Sequence, residues 1–276
     1  MSKEKMFGFK VFKVLLGPIF KWYYNPTIIG KENIPKDGSI LVVGNHVHIM
    51  DQCLAILSTK RCLHYMAKKE YFDNKKVAWF FKAAGCIPVD RKIKDTNATS
   101  SALEVLNKGL ALGLFPEGTR NGLKEERIEE IYKICEKRYS NKEVFFEKIK
   151  GQKNSFILYL EEFVKSRVIK KKDFVNNIFR VDDYLHELID EGVITEDDYY
   201  DHILLPFKFG AVSMANKTDS LLVPYAITGE YKFRSKNLTV RFGKPFKVEG
   251  DLEEANTKLR LEIENLMKES IQNSGK

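Results

Sequence analysis

Six short apolar runs set the first limit on what this chain can fold into. They read SILVVG (39–44), LHYMA (63–67), CIPVD (86–90), ALGLF (111–115), LLVPYAITG (221–229) and LTVRFG (238–243). Short apolar, β-branched runs of this kind predict buried strands. Helical stretches alternate with them, over about 51–58, 74–84, ATSSALEVLNKG with its glycine stop at Gly109, 207–218 and 252–271. The alternation predicts an α/β fold: a mostly parallel central sheet flanked by helices.

Leu123 to Ile203 breaks this rhythm. It holds 15 Lys/Arg against 19 Asp/Glu, few Gly or Pro, and apolar residues at helical spacing such as Ile128, Ile131, Tyr132 and Cys135. One helix should end at Gly192, and Thr195 with Asp198 forms a capping box for the next. No internal repeat is evident. The expected organisation is an N-terminal amphipathic, membrane-associating segment (1–30), an α/β domain in two pieces (31–122 and 204–250), a helical insertion (123–203) and a C-terminal helix (251–276). The insertion reads as a partner-binding or pocket-covering subdomain, or as a solvated elaboration.

Outside the insertion the balance is 31 Lys/Arg to 19 Asp/Glu, and the whole chain carries a formal +8. Such a body suits an anionic partner: nucleic acid, a phosphorylated small molecule or an acidic membrane surface. Nucleic acid is the weakest of these, because the charges are not interleaved with a readable motif and the aromatics gather near the N-terminus. There, MSKEKMFGFKVFKVLLGPIFKWYYN has five lysines and one glutamate. Lys10, Lys13 and Lys21 prevent an uncharged run of about 18 residues, so a membrane span is not expected. Nor does a small-residue cleavage site suggest a signal peptide. A short helix bent at Gly17-Pro18 suits the lipid–water interface instead, with a core-packing helix as the alternative. The expected location is the cytoplasmic face of the cell membrane, peripheral or monotopic. Cys53, Cys62, Cys86 and Cys135 show neither CxxC pairing nor zinc spacing; free thiols and no metal site are expected.

Chemistry-bearing residues cluster just beyond the apolar runs. GNHVHIMD (44–51) offers His46 and Asp51. A histidine becomes a general base when a carboxylate holds its other ring nitrogen. Residues five apart do not share a helix face, so the pair can meet if His46 lies in the turn and Asp51 in the first helical turns. His48 points the other way in an extended segment and reads as a structural neighbour. LFPEGTRN (114–121) supplies Glu117, Gly118, Thr119 and Arg120, and IPVDR (87–91) supplies Arg91. Glycine admits close anion approach, and hydroxyl and guanidinium groups are natural phosphate donors. Taken singly, each cluster reads equally as a polar strand end.

In order, NHxxxxD, GCIPVDR, FPEGTR and LLVPYAITG together resemble the glycerolipid acyltransferase family, of the bacterial 1-acyl-glycerol-3-phosphate acyltransferase type. The resemblance covers roughly residues 10–122 and 204–250. The chain departs from the family in its long insertion after Asn121 and in the extra His48. The resemblance implies acyl transfer from an acyl thioester, on coenzyme A or acyl carrier protein, to the free hydroxyl of 1-acyl-glycerol 3-phosphate, giving phosphatidic acid. It implies His46 as base and Asp51 as its orienting carboxylate. Lys69, Arg91, Thr119 and Arg120 would hold the acceptor's phosphate, with Gly118 in the turn and Glu117 positioning the acceptor's polar groups or orienting these cations. No cofactor beyond the thioester co-substrate is implied. Alternative readings are an acyltransferase for glycerol 3-phosphate or another lysophospholipid, and a non-catalytic lipid- or partner-binding protein.

Overall fold

In the computed structural model, which describes residues 7–90, 93 and 95–274, the apolar runs form strands of one seven-stranded sheet. The chain divides into two units, Met1–Gly118 with Phe207–Lys276, and Thr119–Pro206. The first unit opens with α1 (Phe7–Tyr24), β1 (Thr27–Ile29), β2 (Ile40–Gly44), α2 (Asp51–Ser58) and β3 (Leu63–Lys68). It continues through α3 (Lys69–Asp73), α4 (Ala78–Ala83), β4 (Ile87–Val89), α5 (Thr96–Asn107) and β5 (Ala111–Leu114). The second unit holds α6 (Glu125–Cys135), α7 (Lys142–Ile149), α8 (Asn154–Lys165), α9 (Lys171–Asn177), α10 (Val181–Asp190) and α11 (Glu196–Asp201). The chain then completes the first unit with α12 (Gly210–Thr218), β6 (Leu221–Thr228), β7 (Thr239–Phe242) and α13 (Leu252–Ser274).

Strand order is β1-β7-β6-β2-β5-β3-β4. The five strands from β6 to β4 are parallel, β7 runs against β6, and β1 lies parallel to β7. β2 is buried at every position, which is why its sequence is a continuous apolar block. Its last residue needs to be glycine: a Cβ on Gly44 would sit 2.5 Å from the ring of Tyr225, its partner on β6. Ile40, Val42, Leu54, Leu63, Val240 and Phe242 share the surrounding core, and α1 joins it through Phe20.

Two expectations for this unit are corrected. The edge strand β1 was not foreseen, because three residues are too short to display a period. The helix expected over 74–84 covers only α4, Ala78–Ala83, and a separate short helix, α3, precedes it at Lys69–Asp73. Asn74 separates them: its backbone is extended, and its side-chain Oδ1 accepts from the Lys76 N–H at 3.0 Å. Such local bonds compete with helix continuation.

The second unit has its own core, with Ile131, Ile149, Ile157, Leu160, Ile178, Val181 and Leu185 fully enclosed. Here the structure reveals a repeat that the sequence reading did not detect. Residues 160–179 and 185–204 align without gaps, sharing Leu160/Leu185, Glu162/Glu187, Val168/Val193, Ile169/Ile194, Asp173/Asp198 and Ile178/Ile203. Both form helix, turn, helix. The first helix ends with Val168 N–H donating to Phe163 O in one copy and Val193 N–H to Leu188 O in the other, each at 2.9 Å. The second begins with an aspartate accepting from the N-cap backbone, Asp173 from Lys170 at 3.2 Å and Asp198 from Thr195 at 2.9 Å. The identities are sparse because burial and turn geometry, not residue type, are what recur.

The two turns differ in one respect. Each contains a left-handed residue, Gly192 at φ 70° but Arg167 at φ 63°. A side chain in that conformation costs roughly 1–2 kcal/mol, partly offset by the freedom that glycine adds to the unfolded chain. Arg167→Gly should therefore raise the urea unfolding midpoint, by the equivalent of about 0.5–1 kcal/mol. An unchanged or lower midpoint would contradict the equivalence of the turns.

Candidate active site

Parallel strands deliver their carboxyl ends to one edge, where open α/β sheets place their sites. The order β2-β5-β3-β4 therefore lines up residues 45–51, 115–118, Lys69 and Asp90 along that edge. With strands about 4.8 Å apart, the end of β3 lies about 10 Å from the end of β2.

The turn leaving β2 begins with Asn45, fully buried. Its Nδ2 donates to Ile227 O at 2.9 Å and its Oδ1 accepts from Ile227 N–H at 2.7 Å, so the side chain continues the β2–β6 pairing. His46 follows with its exit direction already set. Its backbone N–H donates to Glu117 Oε1 at 2.8 Å. Its imidazole stacks on Phe115, with centroids 4.0 Å apart and planes 11° apart. Its Nδ1 lies 2.8 Å from Asp51 Oδ2. An ionised carboxylate can only accept, so Nδ1 carries a proton, and in the neutral imidazole that leaves the lone pair on Nε2.

Asp51 is the first residue of α2 and has no exposed surface. Isolated burial of a carboxylate is costly, and this one is offset by four donors. Oδ2 accepts from His46 Nδ1 and from the N–H groups of Val47 at 2.7 Å and His48 at 2.8 Å. Oδ1 accepts from the Tyr231 hydroxyl at 2.7 Å. Burial, reinforced by the Asp51 charge, raises the Tyr231 hydroxyl well above its ordinary range and keeps it a donor. The same two causes push the Cys53 thiol up to about 11, so it stays a neutral thiol and not a nucleophile.

The third element is the turn after β5. Glu117 is buried at 3% exposure, and its carboxylate is used to hold the His46 backbone. Gly118 has φ +70°, and a Cβ there would lie 2.9 Å from both Cε and Nζ of Lys208. Lys208 is itself anchored by its N–H to Pro116 O at 2.9 Å. The Lys208 side chain thus rests against Gly118, just ahead of α12.

The structure brings His46, Asp51 and Glu117 into direct contact and places Gly118 one residue further on. Lys69 begins α3 at the same sheet edge, exposed. Thr119 and Arg120 start the second unit. Arg91 lies outside the described residues. Asn45, Phe115, Lys208 and Tyr231 were not assigned roles from sequence. Tyr231 had no local signal at all, since it is 180 residues from Asp51. Lys208 could have been found from LPFKFG, a basic residue ahead of a helix start.

A family model described as Acyltransferase matches residues 25–228, which contain the whole His46–Asp51–Glu117 arrangement. The chain belongs to the acyltransferase family. Over 96 residues this chain is 34% identical to a 1-acyl-sn-glycerol-3-phosphate acyltransferase of Bacillus subtilis, across 34% of this chain and 47% of that protein. A protein of the same description from Borreliella burgdorferi is 31% identical over 103 residues, across 37% of this chain and 41% of its own. The chain spans less than half the length of these curated relatives that it matches. The crystal structure of the 1-acyl-sn-glycerophosphate (LPA) acyltransferase PlsC from Thermotoga maritima superposes with a TM-score of 0.57, over 98% of this chain and 83% of that one. At 18% identity that likeness is one of fold. Among the described residues the chain has no cluster of three or more His, Cys, Asp or Glu able to hold a metal ion. None of its described helices is long and apolar enough to cross a membrane.

Proposed function

We propose that this acyltransferase moves a fatty acyl group from an acyl thioester, on coenzyme A or acyl carrier protein, to the free hydroxyl of 1-acyl-glycerol 3-phosphate. The observation that carries the reading is the buried Asp51 carboxylate 2.8 Å from His46 Nδ1, in a chain whose relatives bear that description. Nε2 of His46 removes the acceptor hydroxyl proton as the oxygen attacks the thioester carbonyl. The tetrahedral intermediate collapses with cleavage of the C–S bond, and the imidazolium returns its proton to the leaving thiolate. Asp51 keeps the Nδ1–H tautomer and stabilises the imidazolium. Glu117 Oε1 holds the His46 backbone in place. This chemistry calls for no resident cofactor.

The acceptor's phosphate needs cations near the same sheet edge. Lys208, which has no ion-pair partner among the described residues, and Lys69 are proposed for that role. Arg91, Thr119 and Arg120 are assigned to it on the IPVDR and FPEGTR motifs alone. Lipid acceptors also imply a lipid surface, and α1 supports one. Val14, Leu15, Ile19 and Trp22 are 59–72% exposed, and Phe233 packs edge-on against Trp22 and Tyr23. The opposite side, through Phe9 and Phe20, is buried in the protein, so core packing and lipid contact use different faces of one helix. Lys13 is turned inward to Thr59 O, and burial lowers its pKa. Lys10 and Lys21 are exposed and available to anionic headgroups.

With lysophosphatidate and acyl-CoA or acyl carrier protein, His46→Ala should lower thiol release by about 10²–10⁴-fold; equal release would refute the mechanism. Lys208→Ala should raise the acceptor KM about tenfold with kcat little changed, as loss of one charge-assisted contact implies. An unchanged KM would remove Lys208 from the phosphate site. Deleting residues 2–25 should weaken binding to vesicles containing anionic lipid, and retained binding would reject the anchor.

A further inference from the structure

Asp51 has two oxygens with different supports. Oδ2 is fixed from within the local turn, by His46, Val47 and His48. Among the described residues, Oδ1 accepts from Tyr231 alone. That tyrosine lies beyond the residues that match the family model, in the connection between β6 and β7. Its ring is held on two sides, stacked on His48 at 4.2 Å and edge-on to Tyr24 of α1 at 5.4 Å. The connection itself is tied to the end of α1. Arg234 N–H donates to Tyr23 O at 2.6 Å, and Asn25 Nδ2 donates to Ser235 O at 3.3 Å.

A carboxylate can rotate about its Cβ–Cγ bond. Three donors converge on Oδ2, and a donor on Oδ1 locks that rotation so that the Oδ2 lone pair stays aimed at His46. We infer that Tyr231 is a positioning residue for the His46–Asp51 pair, holding the Asp51 carboxylate in register from a loop seated on the end of α1. Its hydroxyl bonds the Asp51 carboxylate, and it acts through Asp51. The inference rests on the proposed acyl transfer for its activity readout, but its geometric content is independent of that.

Tyr231→Phe keeps both ring contacts and removes only the hydroxyl. It should lower kcat about tenfold or more, as expected for a hydrogen bond to a charged group, with both KM values unchanged. In an Asp51→Asn background the same substitution should have little further effect, because the group it positions has been altered. The downfield Nδ1–H proton resonance of His46, assigned by its absence in His46→Ala, should move or broaden in Tyr231→Phe. That signal can be read in folded protein whatever its activity. Wild-type kcat with an unmoved resonance would overturn the inference. So would an equal fold-loss in the Asp51→Asn background, or a change confined to KM. Full activity of His46→Ala would instead overturn the proposed function, leaving the resonance to decide the role of Tyr231.

Discussion

Asp51 carries a charge with no exposed surface, and a carboxylate so placed is tolerated when surrounding donors replace its water. Meeting that demand shapes the active edge. The backbone at Val47 and His48 folds back to donate to Oδ2, and this tight return brings His46 across to face a residue five positions later. Phe115 and Glu117, from the neighbouring strand end, then fix the ring and backbone of the same histidine. One imidazole is thereby held from its plane, its peptide N–H and its Nδ1. Such preorganisation suits the role of base that we propose for His46.

The sheet makes those contacts repeatable. β2 lies between β6 and β5, buried at every residue, so its end cannot drift. Asn45 adds a two-point link to Ile227 beyond the last paired strand residue. Around this edge the first unit spends its polar groups economically. Lys13, in a helix rich in exposed apolar residues, is drawn inward to cap Thr59 O, which leaves the outer face of α1 more apolar than its composition suggests. The second unit is built differently, from helical hairpins whose shared features are buried positions and turn geometry, within a core of its own.

Much of the fold was legible because its signals are local. Continuous apolar runs marked the buried strands, and glycine stops and capping residues marked helix ends such as Gly192 and Thr195. β1 escaped for want of length. The separate α3 and the late start of α4 escaped because the side chain of Asn74 competes with the helix. The repeat escaped because six identities in twenty positions do not stand out until the matching left-handed turns and caps are seen. At the site, the motifs named His46, Asp51 and Glu117, and the structure adds that Glu117 Oε1 accepts from the His46 backbone N–H.

By itself, then, the sequence determined the α/β pattern, the strand ends that bear chemistry, and the family to which those ends belong. Tertiary structure decided which groups meet. Tyr231 reaches Asp51 across 180 residues and Asn45 reaches Ile227 across 182, while Lys208 comes to rest on Gly118 from beyond a whole inserted unit. Strand order and core packing set those encounters. Residue spacing encodes neighbours along a helix or strand, and carries no record of which strand end will lie beside which.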